Sequence, residues 1–244
     1  LFFEDAVLVA PLLEITLTSR NKGKEDSVPL CGFPYHAASS YISRLVEKGY
    51  KVAVCEQVED PKKAKGIVKR EVIRVITPGL LLDPENLQAG ENNFLAGLSF
   101  NQNKYGFAFV DISTGEFQIS EFPGREAFLA ALAGLECKEL IIDKSFPDKI
   151  LLKNLELRWP AGRINYLNGD YFQSERAQTL LADIFLPDVL AGAKIESHPA
   201  ASSAAGAVLR YIAETQKVQP RHINNIKWYL TENYLVIDET ARRN

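Results

Sequence analysis

The sequence has no methionine and only three cysteines and three histidines among 244 residues. The cysteines, Cys31, Cys55 and Cys137, lie far apart and form no Cys-x-x-Cys pair, so a disulfide framework or a zinc site is not expected. Three widely spaced cysteines without a disulfide or zinc pattern fit a protein of the reducing cytoplasm best. The histidines are too scattered along the chain to predict a histidine-based metal centre, and we predict no metal site.

Long apolar runs, targeting signals and nucleotide-binding motifs are also missing. No stretch reaches the roughly 18 apolar residues that indicate a membrane span, and the N-terminus lacks the pattern of a signal peptide. The Gly-x-x-x-x-Gly-Lys-Ser/Thr, Gly-x-Gly-x-x-Gly, His-Glu-x-x-His and Gly-x-Ser-x-Gly motifs are absent. Because the chain begins with leucine and has no methionine, we expect it to be a piece of a longer protein.

The charges are distributed unevenly, although the net charge is only −3. Residues 1–90 carry 12 basic and 12 acidic side chains, and residues 91–200 carry 10 and 15. Within the first part, residues 62–74 hold six cations against Glu71 alone. This basic run could meet phosphate groups, whereas the acidic middle of the chain is a poor surface for nucleic acid and favours a protein partner.

The first 78 residues have the pattern of a small mixed α/β unit. Apolar spacing predicts helices over 2–10 and 37–48 and strands over 13–17, 51–57 and 68–76. Asp60-Pro61 predicts the start of a further short helix, since aspartate caps helices and proline suits the first helical position. Val28 to Gly79 therefore reads as a compact segment that presents a turn and a set of cations.

The turn in that segment is fixed by its backbone chemistry. Gly32 permits a positive φ and Pro34 sets the next bend, so Phe33 and Tyr35 are held in place. His36 beside these aromatics is interpreted as a cap or a core hydrogen-bond partner, with a binding role as the alternative.

A polar loop over residues 20–24 carries Arg20, Lys22 and Lys24. Such a loop is either a solvated hairpin tip or a phosphate contact, and the sequence leaves both open.

A second unit follows turn-rich residues 79–90, which we predict to be a linker. Strands are predicted over 94–100, 104–113, 116–122 and 139–143, helices over 125–135, 147–154 and 173–185, and a loose small-residue segment over 186–204. A helix is predicted to restart at Ala205. Three antiparallel strands followed by alternating elements indicate an α/β fold with a mixed sheet.

The most enzyme-like feature is Asp111-Ile112-Ser113-Thr114-Gly115 after a hydrophobic strand. An RNase H-like nuclease would need several carboxylates around Mg²⁺, and Asp143 and Asp170 are the available partners. Neither partner has a diagnostic spacing. A turn-capping aspartate is the alternative interpretation, and it is the one we favour.

Several motifs in order resemble the MutS family of bacterial DNA mismatch repair proteins. The motifs in the first unit are Phe2-Phe3-Glu4-Asp5-Ala6, Leu17-Thr18-Ser19-Arg20, Cys31-Gly32-Phe33-Pro34-Tyr35-His36-Ala37, Val54-Cys55-Glu56-Gln57 and Arg74-Val75-Ile76-Thr77-Pro78-Gly79. Asp111–Phe117 and Asp238–Asn244 continue the resemblance, which spans the whole chain.

The resemblance implies four parts. Residues 1–78 would be a mismatch-recognition domain, 79–90 a linker, 91–200 an RNase H-like connector domain without nuclease activity, and 201–244 a short helical start of the core domain. The family binds mispaired DNA as a dimer, kinks the duplex and signals through an ATPase to MutL. The chain is expected to be non-enzymatic and to need no cofactor, with ATP and Mg²⁺ binding elsewhere in the full-length protein.

The resemblance also names the candidate contacts. The Phe-x-Glu motif that reads the mispaired base would precede Leu1 and is not in this sequence. The DNA-binding candidates are Arg20, Lys22, Lys24, Phe33, Pro34, Tyr35, His36, Lys69 and Arg70. Gln178 and Thr179 on the helix over 173–185 are the candidates for contact with MutL. A Mg²⁺-dependent nuclease and a purely protein-binding scaffold are the alternative functions.

Overall fold

The computed structural model describes residues 1–21, 27–60, 66, 68–81, 92–220 and 222–230. The strands in these ranges are β1 (Thr18–Arg20), β2 (Val28–Leu30), β3 (Val52–Gln57), β4 (Arg70–Ile76), β5 (Phe94–Asn101), β6 (Lys104–Asp111), β7 (Glu116–Phe122), β8 (Cys137–Asp143), β9 (Ile164–Leu167) and β10 (Lys227–Trp228). The α-helices are α1 (Phe3–Leu13), α2 (Ala38–Glu47), α3 (Arg125–Ala133), α4 (Lys149–Arg158), α5 (Ser174–Ile184), α6 (Pro187–Gly192) and α7 (Pro199–Gln216). Short 3-10 helices cover Tyr35–Ala37, Gly169–Phe172 and Ile195–Ser197.

The first unit consists of two antiparallel ladders and two helices. Strands β1 and β2 form one ladder and β3 and β4 the other. Helix α2 packs Ile42 and Val46 against Ile76 of β4, and it turns Leu45 toward Leu13 of α1. The amphipathic spacing of α2 therefore joins the β3–β4 ladder to α1, and α1 in turn packs on β2, as expected for a mixed α/β unit.

The second unit is built on a six-stranded mixed sheet with the order β10-β7-β6-β5-β8-β9. Strands β5, β6 and β7 are antiparallel neighbours, whereas β8 and β9 run parallel to β5. Three antiparallel strands followed by parallel ones confirm the predicted mixed sheet, the arrangement that the RNase H-like resemblance implies.

Alternating side chains of this sheet form two cores. On β6, Phe107 and Phe109 point to the face covered by α3 and α4, and Ala108 and Val110 point to the face covered by α5 and α7. All four are essentially inaccessible to water. Because both faces are buried, the strands read as nearly continuous apolar runs.

Helix α7 shows that the prediction of a loose segment over residues 186–204 was wrong. Residues 187–192 and 199–216 are helical, and Ala200, Ala201, Ala204 and Ala205 are completely buried. The small residues are needed because α7 lies directly on the sheet, where Gly97 of β5 faces Val208. The predicted unit boundary at residue 200 falls inside this helix, which packs on β5 and β6. We therefore place residues 199–216 with the sheet rather than in a separate stub.

One further prediction also failed. Residues 13–17 are not a strand, because α1 continues through Pro11 to Leu13 and ends at Glu14 in the left-handed conformation (φ 58°). Leu80 and Leu81, at the start of the predicted linker, are buried in the cores. The short helix predicted at Asp60-Pro61 lies outside the described residues. No helix in the described part of the chain has both the length and the apolarity needed to cross a membrane.

The close contact between the sheet and α7 predicts a severe effect of Gly106→Ala. A Cβ at Gly106 would overlap the carbonyl group of Ala200, so the substitution should cost about 1–3 kcal/mol of unfolding free energy in chemical denaturation. Gly192→Ala is the control, because its Cβ would meet no atom within 4 Å. Equal stabilities of the two variants would contradict this packing.

Candidate nucleic-acid interface

The predicted turn is present and holds Tyr35 out in solvent. Pro34 precedes a single 3-10 turn, which a hydrogen bond from Ala37 N to the Pro34 carbonyl closes at 3.0 Å. Helix α2 begins at the next residue, so the turn is continuous with a packed helix. Tyr35 is 87% exposed, and His36 beside it is also exposed. An aromatic ring and an imidazole held in this way can contact the sugars or bases of a duplex.

Phe33 has a different role from Tyr35. Its ring stacks on Tyr41 of α2 with centroids 4.6 Å apart and an interplanar angle of 19°. It also packs against the small core that contains Leu13 and Leu45. Phe33 therefore supports the turn from inside, and among the predicted contacts of this turn Pro34, Tyr35 and His36 are the exposed ones.

Arg20 is exposed at the end of β1, in the β1–β2 ladder that leads to this turn. It lies opposite Val28, whereas the turn follows Leu30 at the other end of β2. Roughly 7 Å of strand separates Val28 from Leu30 at about 3.3 Å per residue. Arg20 and the turn are therefore attached to the two ends of one short strand pair. Lys22 and Lys24 lie outside the described residues.

Lys69 and Arg70 lie on the other ladder and are not brought together with Arg20 by strand pairing. The Lys69 ammonium is 2.5 Å from Glu71, and its backbone N–H donates to the Glu59 carboxylate at 3.2 Å. Glu71 therefore offsets part of the charge of Lys69. Arg70 begins β4 opposite Gln57 and is exposed, which makes it the stronger phosphate-binding candidate of the two.

Asp111 is a buried turn cap. Its Oδ1 accepts hydrogen bonds from the backbone N–H of Ser113 at 2.8 Å and from its hydroxyl at 2.6 Å, and its Oδ2 accepts from Asn93 N at 2.9 Å. Asp143 caps its own turn in the same way, with two hydrogen bonds from Ser145. Asp111 therefore caps its own turn, as the favoured interpretation of the sequence predicted. In the part of the chain that the structure describes, no group of three or more His, Cys, Asp or Glu side chains could hold a metal ion.

The two candidate partner-binding residues lie on α5, but they differ in exposure. Thr179 is exposed and donates its hydroxyl to the Glu175 carbonyl at 3.1 Å. Gln178 is half-buried and lines a groove of about 660 Å³ between α5 and α6. Phe185 and Leu190 form apolar parts of its wall, and Lys194 adds a cation.

Sequence reasoning missed a buried carboxylate cluster between the two units. Glu139 of β8 is completely inaccessible to water. Its Oε2 accepts hydrogen bonds from the Thr77 hydroxyl and from Gly79 N (2.9 Å), and its Oε1 accepts from Asn165 Nδ2 (2.5 Å) and the Tyr211 hydroxyl (2.6 Å). Burial and the negative charge of Glu139 raise the pKa of Tyr211 above its ordinary value, so Tyr211 keeps the proton that it donates. We call these five residues the Glu139 cluster.

A signal for this cluster was present in the sequence. Glu139 is the only charged residue between Lys138 and Asp143 in a strand that is otherwise apolar there, and a buried charge needs partners. The identity of the partners was not readable, because they lie 26 to 72 positions away along the chain.

Two family models match the chain, one over each unit. The family model described as MutS domain I matches residues 1–85, and the model described as MutS domain II matches residues 93–227. The second match covers β5 through β10, and therefore includes α7 with the sheet on which it packs.

Curated relatives match the whole chain. DNA mismatch repair protein MutS of Desulforamulus reducens is 46% identical over 253 residues, covering 100% of this chain and 28% of the relative. The proteins of the same name from Lachnoclostridium phytofermentans and Myxococcus xanthus are 41% and 42% identical and are covered to 26% and 27%. The chain thus spans about a quarter of the length of these relatives.

The hydrogen bonds of Asp111 predict a structural effect of Asp111→Asn. The amide group would face the N–H donors that now bind the carboxylate, so the variant should lose about 1–3 kcal/mol of unfolding free energy. Asp143→Asn changes a half-buried cap of the same design and should lose less. A Mg²⁺-dependent cleavage activity that Asp111→Asn abolishes without a loss of stability would instead support the nuclease alternative.

Proposed function

The chain belongs to the MutS family of DNA mismatch repair proteins, and from this premise we propose that it binds mismatched duplex DNA and positions it for the rest of a larger protein. In this proposal the first unit is the mismatch-recognition domain and the second is the connector domain. The observation that carries it is the exposed Tyr35 on a rigid turn, with Arg20 on the same ladder, in a chain that matches MutS domains I and II.

The physical basis is the deformability of mispaired DNA. A side chain that wedges into a base step costs least where pairing is already lost, so a mismatch can be selected by the ease of bending rather than by a base code. Contacts to the backbone then fix the register of the protein on the duplex. Arg20, Arg70 and the turn with Tyr35 and His36 supply such contacts, and Phe33 holds the turn in place.

Other steps of the proposed activity depend on residues outside this chain. ATP and Mg²⁺ would bind elsewhere in the full-length protein, because these 244 residues contain no phosphate-binding loop motif. We propose that the full-length protein acts as a homodimer. In it, the connector domain passes the DNA-bound state of the recognition domain to the ATPase and to MutL.

Arg20 and Arg70 should contribute to the salt dependence of DNA binding. In the full-length protein, Arg20→Ala or Arg70→Ala should weaken binding to heteroduplex and homoduplex alike. Each substitution should also reduce the slope of log K against log salt by about 1, since each contact to a phosphate releases about one counterion. Fluorescence anisotropy titrations over a salt series measure both quantities.

Lys153→Ala is the matched control, because it removes an exposed cation from α4 of the second unit. Its slope should equal that of the wild type. If Arg20→Ala and Arg70→Ala also keep the wild-type slope, these residues are not at the interface, and the protein-binding scaffold becomes the better interpretation of the first unit.

The exposed side of α5 is the proposed contact with MutL. The groove beside Gln178 offers an apolar wall, and Thr179 is exposed on the same helix. Residues 91–200 carry more acidic than basic side chains, which suits a protein partner better than DNA.

Introducing a charge on this side should impair recruitment of MutL. Gln178→Arg combined with Thr179→Arg should weaken binding of MutL to the DNA-bound protein about tenfold, because burying unpaired charges in a contact costs on the order of 1–3 kcal/mol. Lys153→Glu changes the charge on another helix of the unit and should leave recruitment unchanged. Unimpaired recruitment by the double variant would place the MutL contact elsewhere.

A further inference from the structure

We propose that the Glu139 cluster is the joint that sets the orientation of the recognition domain on the connector domain, with Glu139 as a positioning residue for DNA binding. The predicted effect on DNA binding rests on the proposed function, whereas the orientation of the two units does not depend on it.

The carboxylate divides its two oxygens between the two units. Oε2 accepts only donors from the segment that leaves β4, namely the Thr77 hydroxyl and Gly79 N among the described residues. Oε1 accepts from Asn165 of β9 and Tyr211 of α7. One side chain in β8 is thereby hydrogen-bonded to the end of the recognition unit and to two elements of the connector.

Each residue of the Thr77-Pro78-Gly79 motif contributes to the contact with Glu139. Thr77 supplies the hydroxyl donor, and Gly79 permits the approach that its N–H needs. A Cβ at Gly79 would lie 2.9 Å from both the Glu139 Cβ and the Leu95 Cβ, which is closer than real side chains approach. Pro78 between them restricts the backbone, so the segment is presented to Glu139 with little freedom. All three residues are buried.

Two further contacts near the joint connect the same two units. Gln216 at the end of α7 donates from Nε2 to the Val75 carbonyl of β4 at 3.1 Å. The Lys51 ammonium lies 5.4 Å from the centre of the Tyr211 ring. Lys51 reaches the surface, but partial burial of its ammonium group lowers its pKa, and the negative charge of Glu139 acts in the opposite direction.

A buried carboxylate can fix an orientation because a carboxylate oxygen that lacks its hydrogen-bond donors raises the free energy of the folded protein. Removing a charge from water costs several kcal/mol, and hydrogen bonds in good geometry offset this cost. If the recognition unit tilted away, Oε2 would lose the donors from Thr77 and Gly79. The interaction therefore favours one docked geometry over a range of similar ones.

Orientation matters for binding because only the docked geometry is competent for DNA. When a fraction of the molecules leaves that geometry, the apparent dissociation constant rises in inverse proportion to the competent fraction. Loss of one hydrogen bond to a charged group lowers the competent fraction, so heteroduplex binding should weaken by up to about tenfold.

The test uses the full-length protein with Thr77→Val, which removes the hydroxyl while keeping the shape of the side chain. Spin labels are introduced as unnatural amino acids at Ser40 on α2 and Lys153 on α4, both exposed, and their distance distribution is measured by pulsed electron paramagnetic resonance without DNA. Heteroduplex and homoduplex affinities are measured in parallel. Thr77→Ser keeps the hydroxyl, and Ser99→Ala removes a buried hydroxyl that donates to the Ala200 carbonyl at 2.6 Å within the connector.

The joint predicts that Thr77→Val broadens the distance distribution and weakens heteroduplex binding, whereas Thr77→Ser and Ser99→Ala retain the wild-type distribution. If Thr77→Val does not fold, Gly79→Ala is used in its place, since its Cβ would push the same segment away from Glu139. A distribution unchanged by either variant would overturn the positioning role. A wild type that does not prefer heteroduplex would instead refute the proposed function, and the distance distribution would still decide the positioning role.

Discussion

The Glu139 carboxylate is removed from water in the middle of β8, and it is compatible with that position because four donors surround it. Much of the structure is arranged so that these donors can reach it. The six-stranded sheet brings Asn165 alongside Glu139, and α7 must lie close to the sheet to bring Tyr211 within 2.6 Å. The small residues of α7 and the glycines that face it in β5 and β6 permit that close approach.

The same constraint links the core to the proposed DNA-facing surface. The β3–β4 ladder ends at Ile76, one residue before Thr77, and α2 packs on that ladder with one side and on α1 with another. Phe33 stacks on α2 and supports the turn that exposes Tyr35. A connected series of packed side chains therefore runs from the connector sheet to the turn, so the exposed residues inherit their orientation from the buried joint.

Local patterns predicted local structure well and long-range packing poorly. Helix α2 has clear amphipathic spacing and the antiparallel strands β5 to β7 are apolar runs bounded by turns, and the structure confirms these elements. The alternation of apolar and polar residues after Leu13 led to the wrong prediction of a strand. Apolar and polar residues also alternate around the left-handed end of a helix, which is what the structure has at Glu14. The alanine-rich start of α7 was read as loose because small residues form little core by themselves, whereas here their smallness is what lets the helix meet the sheet. The candidate site was predicted residue by residue from the resemblance, but the burial of Phe33 and the Glu139 cluster depend on contacts that no local pattern encodes.

The joint between the two units is tested most directly by amide hydrogen exchange at Gly79. Its N–H donates to a carboxylate that is sealed from water, although it follows the last strand of the recognition unit. If the joint is formed in solution, this amide should exchange as slowly as the core amides of β5, since both then open only with the packed body. Exchange as fast as that of the exposed Tyr35 amide would show that the segment is not held by Glu139 and would contradict the account.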